Sequence, residues 1–284
     1  MAMAPNEAMT VKEAITLAQG EGLSRLEAHM LLLHACGLSP HDRAWVLTHT
    51  DTVLTAQAQV RWKAFVQRRR NLEPIAYITG IKEFFGLQLH VDKRVLDPRP
   101  ETETLVEWAL SCVADISEPR IADLGTGSGA IALALKHTRR DAQVVAVDAS
   151  PDALEVANAN AQRLGLEIAN YGGHWFAPLA GQTFDLIVSN PPYVAAGDAH
   201  LAPLHHEPLS ALVAGPDGLD ALRQIVAQAG RHLQPGAWLL MEHGFDQSQA
   251  AHDLLHNQGF VAVQSRPDLA GILRCTGGQW PRVK

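Results

Sequence analysis

Asn190-Pro191-Pro192-Tyr193 follows the apolar run Leu186-Ile187-Val188 and sets an amide, two prolines and an aromatic ring at the end of what reads as a buried parallel strand. Ligands bind beyond the carboxyl ends of such strands. Neither proline has an N–H and each fixes φ, so the corner offers acceptors rather than donors. A planar group carrying an NH2 could give one hydrogen to the Asn190 side-chain oxygen and the other to the Pro191 carbonyl, with the Tyr193 ring against its face. These residue types predict a cradle for an amide or amino nitrogen; the plainer reading is a strand followed by a proline-rich loop.

A second constellation lies upstream. Asp123-Leu124-Gly125-Thr126-Gly127-Ser128-Gly129 joins a strand to a helix, and its glycines fall where the turn is tight and a ligand must approach the backbone. Asp148 ends the next strand, where its carboxylate can accept from both hydroxyls of a ribose. With Ala130 the turn also satisfies G-x-G-x-x-A, so the loop alone serves a nicotinamide dinucleotide as well as S-adenosylmethionine. The amide-orienting corner favours methyl transfer over hydride transfer.

The elements that must position these residues alternate from Arg120 onward. Strands are expected at 121–124, 144–148, 186–189 and 238–242, with helices from Ser150-Pro151 to before Gly165, from Asp220 to Leu233 and from Gln247 to His256, then one or two strands between Phe260 and Trp280. This is a doubly wound, Rossmann-like α/β domain, assigned to residues 100–284. Residues 1–80 read as a small all-α domain: Thr10-x-x-Glu13 and Ser24-x-x-Glu27 are capping boxes, and a short segment at 45–47, a longer one through Val60, Trp62, Phe65 and Val66 and a last short one at 75–78 follow with helical spacing. Arg68-Arg69-Arg70 is taken as the cationic end of the fourth helix rather than a nucleic-acid patch. Residues 81–99 are expected to form a β-hairpin linker, with strands at 85–91 and 94–96 turning at Asp92-Lys93.

Composition narrows the classes of partner. The 284 residues carry a formal charge of −7, which disfavours a protein that grips nucleic acid through phosphates. Three cysteines without C-x-x-C spacing and 14 scattered histidines without H-E-x-x-H predict neither disulfides nor a metal site, and fit a reducing cytoplasm. No run of 18 apolar residues and no basic, apolar leader is present.

The corner and the glycine turn together resemble the amino-group methyltransferases of the class I S-adenosylmethionine-dependent superfamily. Five further stretches, Pro74–Gly80, Glu83–Gly86, Val95–Glu103, Glu207–Leu212 and Asp217–Leu219, are similar to the peptide chain release factor N5-glutamine methyltransferases over nearly the whole chain. The resemblance implies cofactor contacts at Gly125, Thr126, Gly127, Ser128, Gly129, Asp148, Trp175 and Asn190, and substrate contacts at Asn190, Pro191, Pro192 and Tyr193. Of these, Asn190, Pro191 and Tyr193 would carry the catalysis. It further implies the glutamine of the Gly-Gly-Gln loop of release factors as acceptor, with the helical domain recognising the factor. The protein is expected to act as a cytoplasmic monomer without direct nucleic-acid contact.

Overall fold

In a computed structural model that describes residues 8–40 and 42–282, the chain divides into two units, Met1–Gly80 and Ile81–Lys284. The first unit is helical: α1 Val11–Gly20, α2 Arg25–Ala35, α3 Arg43–Thr48, α4 Ala56–Arg70 and α5 Ile75–Thr79. Thr10 and Ser24 each accept from the N–H of the glutamate three residues on, and each glutamate accepts in return, so both predicted capping boxes form. Val11, Leu31, Leu32, Trp62 and Val66 supply the buried faces that the capped helices turn inward. The three arginines ending α4 are ion-paired with Glu73, Glu27 and Glu21, which bears out their structural reading.

The second unit opens with an antiparallel pair, β1 Ile81–Phe84 and β2 Leu87–His90. The hairpin therefore turns at Phe85-Gly86, not at Asp92-Lys93. Both turn residues have positive φ, 49° and 74°, the geometry that matches the twist of two adjacent strands. Residues 94–96 form no strand, because the Asp92 carboxylate accepts from the Arg94 backbone and side chain and closes a local turn. Nor is the hairpin a separate linker. Phe84, Leu87 and Leu89 are buried, and fully buried Asn160 bonds the His90 N–H and C=O, so the hairpin belongs to the unit that follows.

There follow α6 Glu103–Cys112, β3 Arg120–Leu124, α7 Ala130–Thr138, β4 Gln143–Asp148, α8 Pro151–Leu164, β5 Ala169–Gly172, β6 Phe184–Ser189, α9 Asp220–Ala229, β7 Leu233–Glu242, α10 Ser248–Asn257, β8 Val261–Pro267 and β9 Leu273–Gln279. The seven strands lie in the order β5-β4-β3-β6-β7-β9-β8; the first five are parallel, while β9 runs antiparallel to β7 and β8. Leu124, Ile187 and Leu239 are fully buried in the layer where helices cover the sheet. The order reverses between β3 and β6, which opens a crevice at their carboxyl ends, and both chemical motifs lead out of that crevice.

One strand was not expected and one helix–strand boundary lies elsewhere. β5 has a polar sequence, Ala-Asn-Tyr-Gly, because it is an edge strand and buries little. Leu233 belongs to β7 rather than α9, and a register shift against Phe184–Leu186 accommodates Pro235-Gly236 between its paired ends.

Candidate active site

The glycine turn spans Gly125–Gly129 between β3 and α7. At Gly129 φ is +82°, and a Cβ there would meet Leu133 at 3.0 Å and Ala157 at 3.3 Å. Gly129 thus serves the approach of α7 to α8 and does not line the cavity described below. The N–H groups of Gly125 and Thr126 donate to the Val147 carbonyl, that of Gly129 to Thr126 and that of Gly127 to the Asp148 carboxylate at 2.8 Å. A turn with four of its five amides already engaged is a poor cradle for a pyrophosphate, which would need them free.

Asp148 also accepts from Ser150 N–H at 2.9 Å, so backbone donors hold both of its oxygens in place while it lines the cavity. Asp123 lies beneath the turn, fully buried, and accepts from Thr126 Oγ1 at 2.7 Å and Ala132 N–H at 3.2 Å. Its Oδ1 has no hydrogen-bond partner, and burial pushes its carboxyl up to about 7, with Asp148 adding to the rise. Asn160 Nδ2 donates to the Ser128 carbonyl at 2.9 Å and ties the turn to α8.

Beyond β6, buried Ser189 donates to the Leu124 carbonyl at 2.6 Å and locks the two motif-bearing strands together. Asn190 then gives its Nδ2 to Thr102 Oγ1 at 3.2 Å, leaving Oδ1 to accept. Tyr193 Oη donates to buried Glu242 at the end of β7, at 3.3 Å, and the Tyr193 carbonyl accepts from Gln247 Nε2 at 2.9 Å. Burial pushes the Glu242 carboxyl up to about 7 and raises the Tyr193 phenol. A parallel bridge from Val194 to Val213 fixes the chain leaving the corner.

A cavity of about 350 Å³ is lined by Gly125, Thr126, Gly127, Ser128, Asp148, Trp175, Asn190 and Pro192, together with Arg94, Val95, Leu96 and Pro98. A smaller one of about 100 Å³ is lined by Arg99, Asn190, Tyr193 and apolar neighbours. Asn190 is common to both. Pro191 is buried and lines neither cavity. Trp175 meets the large cavity and also packs on the sheet core, its indole N–H bonded to Gln224 at 2.9 Å.

Thr102, Asp123, Asn160 and Glu242 take part in the site without having been singled out by sequence. Thr102 and Asp123 lie inside motifs already noted; Asn160, a lone polar residue on an apolar helix face, was the readable signal passed over. Arg99 pairs with buried Glu207, which also accepts from Asp97 N–H at 3.1 Å, and so straps the loop after the corner to the segment bordering both cavities. Among the described residues no cluster of His, Cys, Asp and Glu could hold a metal ion, and no helix is long and apolar enough to cross a membrane.

With this geometry in place, the chain can be set beside known proteins. The family described as Methyltransferase small domain matches residues 104–207, and the one described as PrmC N-terminal domain matches residues 12–80. A protein of Xylella fastidiosa (strain Temecula1 / ATCC 700964) named release factor glutamine methyltransferase is 48% identical over 271 residues, covering 94% of this chain and 98% of its own. One of the same name from Escherichia coli (strain K12) is 41% identical over 274 residues, covering 95% and 97%. Among solved structures, a methyltransferase from Pyrococcus furiosus aligns with a TM-score of 0.53 at 17% identity, covering 78% of this chain and 98% of that one. The hMettl16 catalytic domain in complex with an RNA hairpin aligns at 0.56 and 17%, covering 80% and 82%. At such identities the structures speak for the fold alone.

Proposed function

The chain belongs to the release factor glutamine methyltransferase family, and from that premise we propose that it transfers a methyl group from S-adenosylmethionine to the side-chain amide nitrogen of a release factor glutamine, the one in the Gly-Gly-Gln loop. The observation that carries this reading is the meeting of two cavities at Asn190. The larger suits the cofactor, the smaller an extended amide side chain.

The residues present fit S-adenosylmethionine better than a dinucleotide. Its ribose diol would find Asp148, which lines the large cavity, already oriented by two backbone donors. A pyrophosphate would meet the Asp148 carboxylate and a turn in which the amides of Gly125, Thr126, Gly127 and Gly129 are already engaged. Gly125, Thr126, Gly127, Ser128, Trp175 and Asn190 would form the rest of the holding surface, with Gly129 contributing through the shape of the turn.

S-adenosylmethionine supplies an electrophilic methyl group. An amide nitrogen is a weak nucleophile because its lone pair is delocalised into the carbonyl. Asn190, which lines both cavities, accepts one of its hydrogens through Oδ1, which orients the nitrogen and favours positive charge on it as the bond forms; Pro191, expected from the sequence to accept the other, lines neither cavity. Pro192 and Tyr193 flank the amide and keep water from it. The N-protonated product is strongly acidic and loses its proton without a dedicated base. The protein acts in the cytoplasm, as a monomer, and its net negative charge suits a protein substrate rather than nucleic acid.

Calorimetric titration tests the cofactor half of the reading: S-adenosylmethionine binds and NAD does not. Binding of NAD with no signal from S-adenosylmethionine would overturn it.

A further inference from the structure

The smaller cavity has a polarity of its own. Leu96, Leu204 and Leu212 give it apolar walls, and its polar side chains are Asn190, Tyr193 and Arg99, the one charged group among the described residues that line it. Asn190 Nδ2 is bonded to Thr102, so Oδ1 remains to accept. The Tyr193 hydroxyl has a single proton and gives it to Glu242 at 3.3 Å. Pro191 and Pro192 carry no N–H. Arg99 is therefore the side chain that can donate to a ligand in this cavity.

Two carboxylates hold its guanidinium: Nη2 donates to Glu207 Oε1 at 2.5 Å and Nη1 to Asp97 Oδ2 at 3.4 Å. A guanidinium has five N–H groups in a rigid fork, so three remain after these bonds. Asp97 pairs in turn with Lys82 at 3.1 Å. Two cations thus face two carboxylates, and the fork is fixed without a net charge that would draw in an acidic side chain.

A neutral carboxamide needs a partner at each end, and its carbonyl is costly to shut into an apolar cavity without a donor. Asn190 lines both cavities and so offers its acceptor where they meet, whereas Arg99 lines the smaller one alone. We infer that Arg99 is a specificity-determining residue: it donates to the side-chain carbonyl of the acceptor glutamine while Asn190 accepts from the NH2, so that nitrogen rather than oxygen faces the methyl group. This deepens the reading of the smaller cavity as the acceptor site and rests on it. As the nitrogen lone pair is drawn into the new bond, the carbonyl becomes a weaker acceptor, so the Arg99 bond is no stronger in the transition state than in the bound substrate. Its loss therefore shows in binding of the factor more than in the rate of the bound complex.

The test is a double-mutant cycle between enzyme and substrate. The full chain, saturated with S-adenosylhomocysteine so that no transfer occurs, is titrated calorimetrically with an intact unmethylated release factor that carries either its acceptor glutamine or a methionine there, similar in length and without a carbonyl. The enzyme is wild type, Arg99→Met, or Arg99→Met with Glu207→Gln. The paired variant leaves no unpartnered carboxylate behind and keeps the test open if the single one fails to fold. With the glutamine factor, either variant should bind about ten- to a hundredfold more weakly than wild type, as for a lost hydrogen bond to a charged group. With the methionine factor, the same substitutions should change affinity by less than about twofold.

Equal losses with both factors would show that Arg99 serves only to hold the loop through Glu207, and would overturn the inference. So would binding of the glutamine factor within about threefold of wild type. Either result leaves the proposed function standing, because it concerns the variants alone. A wild-type protein that binds S-adenosylmethionine yet methylates no release factor overturns both.

Discussion

Asp123 shows how much a single buried carboxyl constrains the glycine turn. Its folded pKa of about 7 lies above the ordinary 3.8, chiefly because burial penalises the charge. Between those values the folded protein holds more proton than the unfolded chain, so the stability this group confers is complete below about pH 4 and is lost as pH rises to about 7. Asp123→Asn carries no such penalty. Its stability relative to wild type should therefore climb across that window by up to about 1.4 kcal/mol per pH unit and level off above it. Urea unfolding of both proteins at several pH values measures this; a difference that does not change with pH would contradict the assigned environment. Asn190 and the turn were legible in the sequence because each motif is local and its residue types have few other uses. Thr102 and Glu242 were not. Thr102 lies 88 residues from its partner Asn190 and reads as part of a helix start, while Glu242 reads as the end of a strand.

Between the elements, the corner is held from behind by Gly218. A Cβ there would come within 2.3 Å of the Tyr193 carbonyl oxygen and 2.8 Å of Gln247 Nε2, and φ is +76°. Gly218→Ala should thus displace the corner, costing roughly 1–3 kcal/mol in stability and lowering the methylation rate far more than cofactor affinity. Thermal melting and single-turnover rates check this, and normal transfer at full stability would refute it. The parallel strands, the helices after Ser150 and Gln247 and both capping boxes were readable because their periodicity and caps agree with their burial. The hairpin was misread by register: its turn needs positive φ at Phe85, a residue that gives no turn signal. The edge strand β5 was missed because a strand that buries little has no apolar run to show.

The whole molecule has two units with separate apolar cores, and the cofactor motifs lie in the second. The division near residue 80 could be read from the change of period, from helical spacing to alternating strand and helix. The role of each unit could not, since recognition of a protein partner leaves no local motif. In the proposed division of labour the helical unit recognises the body of the factor. A chain of residues 81–284 should then bind S-adenosylmethionine yet methylate intact release factor poorly, and undiminished methylation by that chain would remove the recognition role. The central claim is tested most directly by incubating the full chain with S-adenosylmethionine and an unmethylated release factor and locating the modification by fragment mass spectrometry. The account predicts one added methyl group, on the side-chain amide of the glutamine in the Gly-Gly-Gln loop. A methyl group on another residue, or none on the factor but transfer to tRNA, rRNA or DNA, would contradict it.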